Sequence, residues 1–216
     1  MASIFVDTAG RNAITVVAGA NLAARDEEFR ILAETLKPTS ALMLQCERAP
    51  IDNLRAAEMA RRLGACIVLD PAPVPADGSL PALASLVDFV TPNETETEML
   101  TGIAPMEPAA VAAAADVLHR MGFRAVIIKL GARGAFASTG QLRRHFDAPQ
   151  VACVDSVAAG DCFNAAFAVR LRNDADVGSA VHYACAAGAL CVSRQGAASS
   201  APTAAELAAY MPTIPG

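Results

Sequence analysis

The pattern of hydrophobic and polar positions along the chain predicts alternating strands and helices. Short apolar runs bounded by turn residues are typical of buried strands, and apolar residues at helical spacing are typical of amphipathic helices. The runs predict strands at residues 41–44, 66–69, 86–90 and 125–130, two or three short strands within 135–153, and a hairpin from 3–6 and 13–18. The helical spacing predicts helices at residues 26–36, 51–63, 83–86, 94–100, 109–121, 158–171, 177–194 and 206–210.

This order of elements favours an α/β fold with a mostly parallel sheet, because strands alternate with helices across short connections. Such sheets bind their ligands at the carboxyl ends of the strands. Polar residues cluster where the predicted strands end, at Glu47, Asp70, Asn93 with Glu96, and residues 131–134. The sequence therefore predicts a ligand cleft at that edge of the sheet.

Composition and charge exclude several classes of protein. The 216 residues are 54% hydrophobic and 18% charged, so we expect one globular domain over residues 1–216. The net charge of −5 argues against a nucleic-acid partner, and no apolar run is long enough to cross a membrane. No signal peptide opens the chain, so a cytoplasmic protein is expected. Its six cysteines lack C-x-x-C spacing, which predicts reduced, mostly buried thiols and no zinc site.

The segment Asp155-Ser156-Val157-Ala158-Ala159-Gly160-Asp161 directly precedes and opens a predicted helix. Small residues there leave backbone N–H groups exposed at the positive end of the helix dipole, which is a binding site for an anion. An acidic residue beside such a site makes sense if it accepts a proton from a hydroxyl that attacks a phosphate. Asp161 could equally be an ordinary acidic residue in a first helical turn, and the sequence leaves both readings open.

Two other segments have both a structural and a functional reading. Asn93 and Glu96 have the spacing of a helix capping box, and their oxygen atoms also suit phosphate, water and Mg²⁺. Residues 129–134 end a strand with two glycines, which fits either a hairpin turn or a turn that lets a nucleotide approach the backbone. Neither a P-loop nor a G-x-G-x-x-G fingerprint is present.

Taken in order, these segments resemble the ribokinase (phosphofructokinase-B) family of sugar kinases. The resemblance rests on Thr91-Pro92-Asn93-Glu94-Thr95-Glu96, on Lys129-Leu130-Gly131-Ala132-Arg133-Gly134 and on residues 155–161, with Asp70-Pro71-Ala72-Pro73 and Gly19-Ala20-Asn21 as further matches. It implies a three-layer αβα sandwich and an ATP-dependent kinase that phosphorylates the 5-hydroxyl of D-ribose.

The resemblance implies a role for each matching residue. Asp161 matches the general base, and the backbone around Ala158, Ala159 and Gly160 matches the anion hole. The positions that match nucleotide contacts are Asn93, Lys129, Leu130, Gly131, Ala132, Arg133, Gly134, Gly160, Asp161 and Cys185. Glu96 matches a residue that organises Mg²⁺. Glu47 and Asp161 fall on the sugar side, although Glu47 could also be an ordinary carboxylate at a strand end.

A second cation, K⁺, is implied beside the anion hole. The positions that match its site are Asp155, Val157 through its carbonyl, Cys191, Arg194, Gly196 and Ser200. Carboxylate, carbonyl and hydroxyl oxygens suit such a hard cation.

The chain also departs from the family, whose members are longer at the N-terminus. The resemblance implies that the first sheet strands, an acidic sugar-binding residue and a Gly-Gly loop are missing, and no Gly-Gly pair occurs in the sequence. Residues 1–20 then correspond to the remnant of a β lid that forms a homodimer, and 21–216 to the nucleotide-binding core. The alternatives are a nucleotide-binding remnant without kinase activity, or a kinase for another small sugar or a nucleoside. An unpaired sheet edge and exposed apolar surface are expected in either case.

Overall fold

The structure is a computed structural model that describes residues 2–6, 12–76, 78–173 and 176–211. Its strands are β1 (Ala2–Val6), β2 (Asn12–Val16), β3 (Ala41–Gln45), β4 (Cys66–Asp70), β5 (Phe89–Val90), β6 (Val126–Lys129), β7 (Ala135–Ser138) and β8 (Arg143–Phe146). Its helices are α1 (Asp26–Thr35), α2 (Pro50–Arg62), α3 (Leu80–Ala84), α4 (Glu94–Thr101), α5 (Pro108–Arg120), α6 (Ala159–Arg172), α7 (Val177–Val192) and α8 (Ala204–Tyr210).

Six strands form the central sheet in the order β3-β4-β5-β6-β7-β8. The pairs from β3 to β6 are parallel, and β6-β7 and β7-β8 are antiparallel hairpin pairs. β1 and β2 form a separate antiparallel sheet. The prediction of a mostly parallel α/β sheet is confirmed.

Helices cover both faces of the central sheet, as strand periodicity requires. Alternate residues of β4 point to opposite faces, so Ile67 and Leu69 join one core cluster and Val68 the other. The first cluster packs against α1, α2, α3 and α5, and the second against α6, α7 and α8. These two layers of helices around one sheet are the predicted three-layer sandwich.

The prediction of two or three short strands within 135–153 is confirmed by β7 and β8, and residues 147–153 contain no strand. The structure differs from the sequence prediction in two places. The short helix predicted at residues 83–86 is α3, which begins earlier, at Leu80. Pro81 lies in its first turn, where proline is favoured. β5 is short because the Asp88 side chain, rather than a backbone carbonyl, accepts the Ile67 N–H at 2.8 Å. The turn predicted between β1 and β2 lies outside the described residues.

β3 is one edge of the central sheet, and within the described part of the chain it pairs with β4 alone. Met43 on this strand is 44% exposed. The expected open edge is therefore present in the fold. Across the described ranges, no helix has both the length and the apolar character needed to span a membrane.

Candidate active site

Three loops at the carboxyl ends of the strands enclose a cleft of about 560 Å³, called cleft A here. The first loop follows β5, the second follows β6 and the third precedes α6. Helix α7 forms the remaining wall. The predicted site residues that line cleft A are Asn93, Lys129, Gly131, Ala132, Gly134, Ala159, Gly160 and Cys185. The fold thus brings three segments that are far apart in sequence to one place.

The turn after β6 is shaped by Gly134. Its φ is +90°, and a Cβ at this position would lie 2.0 Å from the Phe146 carbonyl oxygen, so a side chain does not fit. The Leu130 N–H donates to the Gly134 carbonyl at 2.8 Å and closes the turn. The Leu130 side chain lies in the hydrophobic core, and the Arg133 guanidinium donates to the Pro105 carbonyl at 2.7 Å and pairs with Glu94. These two predicted residues shape the turn and do not line the cleft.

Asn93 and Glu96 form the capping box that the sequence predicts. The Asn93 Oδ1 accepts from the Glu96 N–H at 2.8 Å, and the Glu96 carboxylate accepts from the Asn93 N–H at 2.8 Å. Burial raises the pKa of Glu96, and the nearby Asp70 carboxylate raises it further, against the opposing effects of the Asn93 N–H and Lys129. The structural reading therefore holds, and it places a half-buried carboxylate close to Asp70 and Lys129.

The first turn of α6 begins with a strained residue. Ala158 has φ +64° and ψ 7°, in the left-handed region, and is the one non-glycine residue with positive φ among the residues described. The N–H groups of a first helical turn have no partners within the helix. Asp161 follows in the same turn with an exposed side chain, and Gln45 Nε2 donates to its Oδ1 at 3.4 Å.

We expect Ala158→Gly to stabilise the protein. A left-handed conformation costs a residue with a Cβ about 1–2 kcal/mol, and the greater freedom of glycine in the unfolded chain offsets roughly 0.5–1 kcal/mol of this. The expected gain of up to about 1 kcal/mol would raise the melting temperature by roughly 2–4 °C in thermal unfolding. Ala165→Gly, at an exposed interior position of the same helix, should instead lower stability by about 1 kcal/mol. A lower melting temperature for Ala158→Gly would contradict the expectation.

A second cleft of about 500 Å³, called cleft B, opens on the other side of Asp161. It is rich in groups that form hydrogen bonds. Its polar lining consists of Asn21, Gln45, Glu47, Arg48, Asn53, Asp70, Asp161 and Asn164. Glu47 is exposed and accepts from Asn21 Nδ2 at 3.4 Å. The Asn53 side chain fixes the end of β3, because its Nδ2 donates to the Gln45 carbonyl at 2.8 Å.

A buried ion pair separates the two clefts. Lys129 Nζ lies 3.1 Å from both carboxylate oxygens of Asp70, and Asn164 Nδ2 donates to Asp70 Oδ2 at 2.7 Å. All three residues are buried. The motifs of the sequence include Asp70 and Lys129, but no motif predicts their contact, the hydrogen bond from Asn164, or the bond from Gln45 to Asp161. A polar residue that ends a short apolar strand was the available signal.

Five of the six residues predicted for K⁺ form one cluster behind the first turn of α6. Asp155 accepts from the Val157 N–H and the Gly196 N–H, each at 3.0 Å, and these bonds lower its pKa. Cys191 links Ser200 to Val157, because its Sγ lies 3.2 Å from Ser200 Oγ and 3.6 Å from the Val157 carbonyl oxygen. The side chain of Arg194 points elsewhere, to Glu206 at 2.8 Å.

The cysteines are all free thiols, and three of them are buried, which is fewer than expected. Burial raises the pKa of Cys66 to about 11 and that of Cys162 and Cys185 to about 12. Thiols with such pKa values are protonated at neutral pH and are poor nucleophiles. This arrangement argues against catalysis by any of these three thiols.

The fold is that of the ribokinase-like carbohydrate kinases. The model of the "pfkB family carbohydrate kinase" matches residues 1–204, and the chain belongs to this family. It is a ribokinase-like sugar kinase, a phosphotransferase.

Named relatives support this assignment. A ribokinase from Haemophilus influenzae is 35% identical over 212 residues, which cover 98% of this chain and 68% of that protein. A deoxyribokinase from Salmonella typhi is 32% identical over 211 residues, which cover 98% of this chain and 69% of that protein. The structure of Arabidopsis thaliana ribokinase complexed with ribose and ATP superposes with a TM-score of 0.82 at 27% identity, covering 96% of this chain and 67% of that one. The chain thus spans about two thirds of the length of each.

Proposed function

We propose that this chain transfers the γ-phosphate of ATP to the 5-hydroxyl of D-ribose, with Asp161 as the general base. The observation that carries the proposal is the position of Asp161 at the boundary between the clefts. Its neighbour Gly160 lines cleft A, whereas Asp161 itself lines cleft B. A base at such a boundary can take the proton of an acceptor hydroxyl in cleft B while that hydroxyl attacks a phosphate held in cleft A.

Cleft A suits the nucleotide. Its walls combine the glycine turn after β6 with apolar residues of α6 and α7, including Phe163, Cys185 and Val192, which suit an adenine ring. The first turn of α6 offers N–H groups and a positive dipole end to the phosphates. We therefore assign ATP to cleft A, with Asn93 and the 129–134 turn beside its phosphates, and the anion hole to Ala158, Ala159, Gly160 and Asp161. The structure of the Arabidopsis relative, complexed with ribose and ATP, supports ATP as the nucleotide.

Mg²⁺ fits the residues near cleft A. Mg²⁺ prefers oxygen ligands and keeps several of its waters. The half-buried Glu96 carboxylate and the Asn93 side-chain oxygen supply such groups at the start of α4, so we propose that they hold the metal through its waters. The ion would neutralise charge on the nucleotide phosphates.

K⁺ fits the cluster behind α6. The Val157 carbonyl has a weak sulfur partner there, the Cys191 thiol at 3.6 Å, and is therefore available to a cation. The other groups that we assign to the site are the Asp155 carboxylate, the Ser200 hydroxyl and the backbone of Cys191, Arg194 and Gly196. A cation there would order the segment that leads into the anion hole.

Cleft B suits a small polyhydroxylated acceptor, because seven of the residues that line it carry a carboxylate or an amide. Relatives called ribokinase and deoxyribokinase favour a pentose.

We further propose that β1 and β2, which stand apart from the central sheet, belong to a lid that forms a homodimer. The free thiols suit a reducing compartment such as the cytoplasm.

The experiment that tests the proposal is ADP release from MgATP, with and without D-ribose, in K⁺ and then in Na⁺ buffer. We expect release that depends on ribose and is faster in K⁺. Parallel reactions with 2-deoxy-D-ribose and with a nucleoside test the choice of acceptor. ATP binding without release in the presence of any acceptor would instead identify a nucleotide-binding remnant.

A further inference from the structure

Lys129 is a buried lysine, although lysine is among the residues least often buried. It is 9% exposed, and the other lysine of the sequence, Lys37, is exposed. At the end of β6 its Nζ lies 3.1 Å from each oxygen of Asp70, which is itself 7% exposed. Such a pair has to be explained, because its desolvation cost often exceeds its Coulombic gain and an apolar pair of similar size would stabilise the fold as well.

The position of the pair points to the reaction. Lys129 lines cleft A and Asp70 lines cleft B, so the ion pair crosses the boundary at which Asp161 lies. A Cβ placed on Gly160 would lie 3.5 Å from Lys129 Nζ, so the ammonium lies against the first turn of α6. An ammonium has three N–H donors, and two of them suffice for the two oxygens of Asp70. The third is available on the side of Gly160.

The charges around the boundary strengthen this argument. Asp70, Glu96 and Asp161 place three carboxylates near the point where a negatively charged phosphoryl group would pass. Lys129 is the one cationic side chain that lines cleft A in the part of the chain that the structure describes. Without a cation there, the carboxylates would repel the transferring group.

We propose that Lys129 is a catalytic residue whose ammonium contacts the phosphoryl group as it passes from cleft A to cleft B, an inference that rests on the function proposed above. In the transfer, the acceptor oxygen forms a bond to the γ-phosphorus and the bond from that phosphorus to the β–γ bridging oxygen breaks. The hydroxyl proton moves to Asp161. Lys129 keeps its proton and donates a hydrogen bond to a non-bridging oxygen, and Asp70 and Asn164 are positioning residues that hold the ammonium in place.

The test compares Lys129→Met with the double variant Asp70→Asn/Lys129→Met. The single variant leaves Asp70 buried without its cation, so it should melt at a lower temperature. The double variant removes both charges and should recover much of that loss. Lys37→Met, at the other lysine, is the matched control. The readouts are the melting temperature, kcat for acceptor-dependent ADP release, and calorimetric affinity for ADP alone and for ADP with aluminium fluoride, which mimics the phosphoryl group in transfer.

For the double variant we expect kcat and the affinity for ADP with aluminium fluoride to fall by about 10²-fold, since a charge-assisted contact to the transferring group is lost. The affinity for ADP alone should stay within about threefold, and Lys37→Met should match the wild type. A double variant with wild-type kcat and wild-type affinity for ADP with aluminium fluoride would overturn the proposal, as would an equal loss of affinity for ADP alone. If the wild type shows no acceptor-dependent release, the proposed function fails, and the aluminium fluoride affinities still decide the role of Lys129.

Discussion

Asp161→Asn is expected to lower kcat for sugar phosphorylation by about 10³-fold, the usual effect of removing a general base. Asparagine keeps the size of the side chain and can still contact Gln45, but it cannot take the proton of the attacking hydroxyl. Asp161 lines cleft B rather than cleft A, so the affinity for ATP should change little. Steady-state kinetics together with calorimetric ATP binding would measure both quantities.

A matched control separates the role of general base from that of an acidic residue that only stabilises the start of its helix. Asp26 occupies the first turn of α1, as Asp161 occupies that of α6, but it pairs with Arg55 away from both clefts. If Asp161 merely complements its helix dipole, Asp26→Asn and Asp161→Asn should both cost a few tenths of a kcal/mol in stability and leave kcat unchanged. Wild-type turnover in Asp161→Asn would remove this residue from the role of base.

Gly134→Ala is expected to destabilise the protein by roughly 3 kcal/mol or more, because two penalties combine at this position. The φ of +90° is strained for any residue with a Cβ, and that Cβ would lie 2.0 Å from the Phe146 oxygen and 2.6 Å from the Ala148 nitrogen. Both contacts are with backbone, which cannot move aside without displacing the residues after β8. Thermal unfolding should show a melting temperature lower by about 6–12 °C.

Gly140→Ala provides the control for this substitution. Gly140 lies in the turn between β7 and β8, where a Cβ would meet nothing within 4 Å. This variant should melt within about 2 °C of the wild type, since surface substitutions away from special backbone positions have small effects. Because Gly134 also lines cleft A, the Gly134 variant should bind ADP more weakly even below its melting temperature. Equal stability of the two variants would contradict the argument from steric conflict.

Much of the fold was predictable from local patterns. The apolar runs before Asp70 and at 125–130 are continuously hydrophobic because both faces of these strands are buried. This pattern predicted both strands. Predicted and observed helix boundaries agree within a few residues, helped by proline near the start of α2 and α5. The prediction was poorest at β5, where the Asp88 side chain accepts the Ile67 N–H and this local hydrogen bond outweighs the hydrophobic pattern.

The candidate site was predictable in its segments but not in its contacts. Motif order placed Asn93, the 129–134 turn and the start of α6 at strand ends, where an α/β sheet binds ligands. The same motifs did not reveal that Leu130 and Arg133 point away from cleft A. They also gave no sign of the bond from Gln45 to Asp161, which joins residues 116 positions apart.

By itself, the sequence determined the class of fold, the family and the candidate segments of the site, because hydrophobic period, turn glycines and helix-start residues act over a few neighbouring positions. Only the tertiary structure decided which polar groups meet. Lys129 and Asp70 are 59 residues apart, and Asp70 and Asn164 are 94 apart. Their contact depends on the order of the strands and on how α6 packs across the sheet. That packing is a property of the whole buried core, and no local propensity encodes it.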